Sequence, residues 1–155
     1  MKINIKIKTE LILIISMFIL VLIFSFYVNN QEIDLDKVCI NDVCFEVEIV
    51  STPEEKAKGL MFREKLEENE GVLFTWEEEG TYSFWMKNTL IPLDIIWIDE
   101  GLKIVYVLEN IPPCESDPCQ VYTPGNKAKY VLEINAGISE EKLIDIGKKV
   151  SFVYS

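Results

Sequence analysis

Two carboxylates set among apolar residues are the groups whose type and spacing could do chemistry. In Leu93-Asp94-Ile95-Ile96-Trp97-Ile98 the side chains alternate, so Leu93, Ile95 and Trp97 share one face and Asp94 shares the other with Ile96 and Ile98. Both faces are apolar. A strand covered on both sides carries its carboxylate into or near the core, where an ionised group needs a partner. Arg63, Lys87 and backbone donors near Asn88 are the candidate partners. Asp94 is then either an anchor tying its strand to the preceding loop or part of a ligand pocket. Glu133, which shares a strand face with Val131 and Lys129, is the weaker candidate. Together Asp94 and Glu133 could serve a hydrolase or lyase as acid and base, with Arg63 holding an anion, if their environments push the two pKa values apart.

The stretch Phe84-Trp85-Met86-Lys87-Asn88-Thr89-Leu90-Ile91-Pro92-Leu93-Asp94 concentrates aromatic, thioether, cationic, amide and carboxylate groups. Polar groups embedded among apolar ones are the usual make-up of a ligand pocket, so Arg63, Trp85, Lys87, Asn88, Asp94 and Glu133 form the candidate binding set for a small polar ligand or a partner. The alternative for Phe84 and Trp85 is plain core packing. Met61 and Met86 offer thioethers suited to Cu(I), although methionines also fill cores. The chain has no histidine. That removes the commonest general base and transition-metal ligand, and with them any Ser-His-Asp or Cys-His arrangement within the chain. Binding is favoured over catalysis, and no cofactor is expected.

Positioning these groups falls to one domain's worth of chain, 155 residues. Residues 30–155 hold 12 basic against 25 acidic side chains, a net of −13. Such a surface repels phosphate backbones, so nucleic acid is not an expected partner. Residues 11–28 run without a charge behind Lys2, Lys6 and Lys8. Eighteen apolar residues exceed a signal-peptide core of about 7–15 and no small-residue cleavage site follows, so the segment reads as an uncleaved membrane anchor. The lysines keep the N-terminus cytoplasmic and send the domain across, with secretion after cleavage as the alternative. The expected division is 1–29 as cytoplasmic tail and transmembrane helix, 30–37 as linker and 38–155 as an extracytoplasmic β-rich domain, with a membrane-complex partner as the alternative to a small ligand.

The four cysteines fit an oxidising compartment. A two-residue Asn41-Asp42 turn pairs Ile40 with Val43 and sets Cys39 opposite Cys44, close enough for a disulfide. Cys114 and Cys119 enclose Glu-Ser-Asp-Pro in a proline-stiffened loop. Two local bridges are expected; a four-cysteine zinc site is the rival, disfavoured by the spacing.

Phe45–Val50 alternates as a strand. Thr52-Pro53-Glu54-Glu55 starts a helix with a capping box, expected to run to about Phe62. Further strands are expected at Gly71–Trp76, Thr81–Met86, Leu93–Ile98, Leu102–Glu109, Ala128–Asn135 and Lys149–Tyr154, with a short helix capped by Ser139 and a long loop over Asn110–Lys127.

The runs Gly59-Leu60-Met61-Phe62-Arg63, Gly71-Val72-Leu73-Phe74, Phe84-Trp85-Met86-Lys87-Asn88-Thr89 with Ile91-Pro92-Leu93-Asp94, and Val131-Leu132-Glu133 with Ala136-Gly137 closely resemble the domain-of-unknown-function 192 family. The resemblance spans about Cys39 to Val153. It implies a compact, mostly β domain with short helices and no established activity, so no catalytic residue carries over. The fold expected is α+β and β-dominated: a barrel-like or sandwich core of about seven or eight strands with two short helices, preceded by one transmembrane helix.

Overall fold

The computed structural model describes residues 5–29 and 35–154. It divides into two units, Met1–Asp34 and Leu35–Ser155. Residues 30–34 of the expected linker and residues 1–4 of the expected cytoplasmic tail lie outside the described residues.

The first unit holds helix α1 (Ile5–Asn29). Side chains are described for residues 10–25 of it. Among the described residues no helix is long and apolar enough to cross a membrane. The expected transmembrane helix over 11–28 is therefore corrected to a helix for which no membrane span is shown.

In the second unit the elements follow as β1 (Leu35–Ile40), β2 (Val43–Val50), α2 (Pro53–Lys58), β3 (Glu70–Gly80), β4 (Phe84–Trp85), β5 (Leu93–Ile98), β6 (Ile104–Ile111), β7 (Val121–Tyr122), β8 (Ala128–Asn135), α3 (Ile138–Glu141) and β9 (Val150–Tyr154). Seven strands form one sheet in the order β6-β5-β8-β3-β2-β1-β9, while β4 and β7 pair separately. Only β2 and β3 run parallel, joined through α2. The edge strands meet at one end, where Lys103 bridges Lys149 and Val150 N–H donates to Leu102 O at 2.8 Å. The result is a β-dominated half-barrel with helices, which corrects the expected barrel-like or sandwich core.

Each face of the sheet carries its own apolar cluster. One gathers Phe45, Leu73, Ile96, Leu132 and Ile134 with Ile138 and Ile144. The other gathers Val72, Phe74, Leu93, Ile95, Trp97 and Val131 beneath Leu60, Leu66 and Met86. Alternation along β5 deals its residues to both, and all six are buried.

Local signals act where they stand in the chain. Asn41 turns the first hairpin with φ 55°, Cys39 faces Cys44 with Cα atoms 4.0 Å apart, and disulfides close both Cys39–Cys44 and Cys114–Cys119. Thr52 and Glu55 form the capping box. Helix α2 nevertheless ends at Lys58, four residues early, because Gly59 turns the chain with φ 44°. Helix α3 is four residues long and starts after Gly137 rather than at Ser139.

Candidate functional site

Asp94 and Glu133 lie on neighbouring strands with opposite outlooks. Between β5 and β8, Asp94 pairs with Ile134 and Ile95 pairs with Glu133. Directly paired residues share a face. Asp94 therefore points to the side of Ile96 and Leu132, and Glu133 to the side of Ile95 and Val131.

The Asp94 carboxylate is fully buried and is held by backbone N–H groups. Oδ1 accepts from Asn110 at 2.8 Å and Gly137 at 3.1 Å, and Oδ2 accepts from Ser139 at 2.7 Å. Asn110 and Gly137 have φ of 54° and 84°. A single carboxylate thus ties the irregular end of β6, where the register with β5 shifts, to the start of α3. Arg63, Lys87 and the backbone near Asn88 take no part. Asp94 is the anchor of the two alternatives, tied to later segments rather than to the preceding loop.

Glu133 is only 4% exposed, yet among the described residues no hydrogen bond or ion pair reaches its carboxyl group. Burial pushes its pKa up to about 8. It forms the floor of a narrow cleft with about 30 Å³ of accessible space. Phe74 and Phe84 wall this cleft, and Lys56, Lys58, Gly59, Met61, Trp85, Lys87 and Thr89 are among its other lining residues.

The cleft owes its shape to a glycine and a clasp. At Gly59 a Cβ would stand 3.2 Å from Phe74 Cζ, and φ of 44° disfavours any other residue. The chain can therefore leave α2 directly over β3. The clasp joins two segments: Met61 bridges Thr89, and Phe62 N–H donates to Asn88 O at 2.8 Å. The Asn88 amide also lies 3.9 Å from Met61 Sδ. Behind them Phe84 meets Phe74 and Trp97 edge-on at 4.9 and 5.7 Å. Trp85 is 47% exposed at the rim. Lys87 Nζ stands 5.5 Å over its ring and 3.5 Å from Asp117, inside the Cys114–Cys119 loop.

A second cleft of about 360 Å³ adjoins the first and shares Lys58, Gly59 and Met61 with it. Arg63 lies there, paired with Glu48. Of the candidate set, Trp85, Lys87 and Glu133 line one cleft, Asn88 helps close it, Arg63 borders the adjoining one, and Asp94 belongs to the opposite face. Of the two methionines, Met61 lines the cleft and Met86 is buried in the cluster below. The carboxylate pair is not brought together. Lys56, Lys58 and Thr89 are cleft residues that sequence reasoning missed; for the lysines, their nearness to Gly59 was the available signal.

The chain has no significant match among curated proteins. A crystal structure of a protein of unknown function from Novosphingobium aromaticivorans is similar, with TM-score 0.70 and 31% identity over 79% of this chain and 88% of that one. Another, from Sinorhizobium meliloti and described as a candidate transcription regulator, has TM-score 0.68 and 28% identity over 75% of this chain and 90% of that one. The model of the DUF192 family, described as an uncharacterized ACR, matches residues 25–152. With most of its length matched in this way, the chain belongs to the DUF192 family.

Proposed function

We propose that the β-rich unit is a non-catalytic binding module that takes a small polar ligand into the paired clefts, with its head at Glu133. The supporting observation is Glu133 itself. An unpaired buried carboxyl group is costly to hold in a fold, and this one faces open space rather than a partner. The adjoining 360 Å³ lies within the size range of small-molecule sites. Trp85 and Phe62, the latter 68% exposed, give the rim apolar contact area.

The two disulfides support placing this module in an oxidising compartment outside the cytoplasm. The transcription-regulator description of the Sinorhizobium protein is not extended to nucleic-acid binding here, because the 12 basic against 25 acidic side chains of residues 30–155 repel a phosphate backbone.

The test is a thermal-shift screen of the full chain against several hundred small polar metabolites, repeated with Glu133→Leu. Hits that raise the wild-type midpoint and lose their effect in the variant support the proposal. A screen in which every hit acts equally on both proteins removes Glu133 from the site.

A further inference from the structure

We infer that the head group received at Glu133 is an anion of the carboxylate class, hydrogen-bonded to the Glu133 carboxyl group in a cleft lined by lysines. This rests on the binding reading and specifies its ligand.

The charge around the cleft is the first observation. Over residues 30–155 acids outnumber bases by 25 to 12, yet the cleft residues include Lys56, Lys58 and Lys87, and Glu133 is the sole acid among them. Lys56 Nζ lies 4.7 Å over the Trp76 ring and Lys87 Nζ stands beside Trp85 and Asp117. Lys58 makes no ion pair among the described residues and borders both clefts. The charged residues that line the cleft with Glu133 are thus Lys56 and Lys58 from α2 and Lys87 from the segment after β4, whereas β3 and β4 contribute Phe74, Phe84 and Trp85. Glu48, Glu55 and Arg63 border the adjoining cleft. An ammonium or guanidinium head would meet a lysine-lined cleft and an acid whose pKa burial raises to about 8.

The second observation is size. About 30 Å³ admits roughly two oxygen-sized atoms. A carboxylate head fills that space with one oxygen accepting from Glu133, and the chain behind it extends past Met61 into the larger cleft. Thr89 offers a further polar group at the wall.

The test is an NMR titration of the full chain with butyrate and, in parallel, butylammonium, probes of equal length and opposite charge. The Trp85 indole N–H and the Met61 methyl group report on the site. Butyrate should shift both saturably at pH 6, and its affinity should fall ~10-fold for each pH unit above the Glu133 pKa. Glu133→Gln keeps a donor that does not titrate, so binding should persist without that pH step. Glu133→Leu, checked for folding by a urea melt, should weaken butyrate ~10-fold or more.

Saturable binding of butylammonium in place of butyrate overturns the anionic assignment and leaves the binding module standing. Butyrate binding of equal strength in Glu133→Leu overturns the role given to Glu133. A flat response to both probes overturns the carboxylate class, while the metabolite screen decides separately whether the cleft binds anything.

Discussion

Asp94 and Glu133 are next-door neighbours across the β5–β8 ladder and face opposite sides of the sheet. One carboxylate is saturated with backbone donors and the other has none. The same side-chain chemistry thus serves construction on one face and lies open to solutes on the other. An acid–base pair acting on one substrate is incompatible with a sheet between the two groups.

Replacing Asp94 by Asn keeps the shape and turns one acceptor into a donor. If the amide nitrogen takes the Oδ2 place, it faces Ser139 N–H, and a buried donor is stranded. Losing charge-assisted bonds in this way should cost ~2–4 kcal/mol, read as a lower urea midpoint with unchanged slope. A midpoint equal to wild type would show that the three N–H groups do not need the carboxylate.

Glu133 should make stability pH-dependent in a direction opposite to that of most carboxylates. Its pKa is raised from 4.5 to about 8 in the fold, so between those values the folded state holds a proton that the unfolded chain has released. Stability is then complete below about pH 4.5 and declines by ~1.4 kcal/mol per unit until the folded group ionises. The difference in urea stability between wild type and Glu133→Gln should fall across that window. A difference that is flat with pH would contradict the buried, unpaired state.

Gly59→Ala places a methyl group 3.2 Å from Phe74 Cζ on a backbone with φ of 44°. The expected cost is ~1–3 kcal/mol in thermal or urea unfolding. The cleft should change as well, with Met61 and Thr89 amide resonances moving more than those of β1 and β9. Shifts confined to α2 would show that the cleft tolerates the extra carbon.

The Cys114–Cys119 bridge closes a six-residue loop, for which chain entropy predicts a contribution of ~2 kcal/mol. Replacing both cysteines by serine should lower stability by about that amount. Because Cys114 N–H donates to Met86 O at 3.3 Å and Asp117 pairs with Lys87, amide exchange over Met86–Asn88 should also quicken. Unaltered exchange there would separate the disulfide loop from the cleft.

The legible parts of the fold were those dictated by near neighbours in the chain. The Asn41-Asp42 turn fixed the Cys39–Cys44 register, Thr52 and Glu55 announced α2, and the alternation of Leu93–Ile98 placed its faces. The misreadings came from distant partners. Ser139 reads as a cap from sequence, yet its backbone N–H is taken by Asp94 and α3 starts after Gly137. Two-residue strands such as Val121–Tyr122 carry no periodicity, and only the partner Phe84–Trp85 makes them strands. The site was obscured for the same reason. Glu133 ranked below Asp94 because Lys129 shares its face, but Lys129 reaches outward to Glu100 at 2.7 Å and leaves Glu133 alone. The residue run with the most varied chemistry supplied the rim, and a plain strand supplied the floor.

The pairing of β1 with both β2 and β9 has a temporal meaning. The hairpin of β1 and β2 is complete once residue 50 is made, but its outer edge stays open until residues 150–154 exist. During synthesis Val38 and Ile40 belong to a strand lacking one neighbour, and the bridge between Lys103 and Lys149 that draws the sheet's edges together forms in the same late step. Such long-range closure slows folding and exposes an unpaired edge meanwhile. The first hairpin's own disulfide joins residues five apart and ties that edge in the register it keeps in the finished sheet.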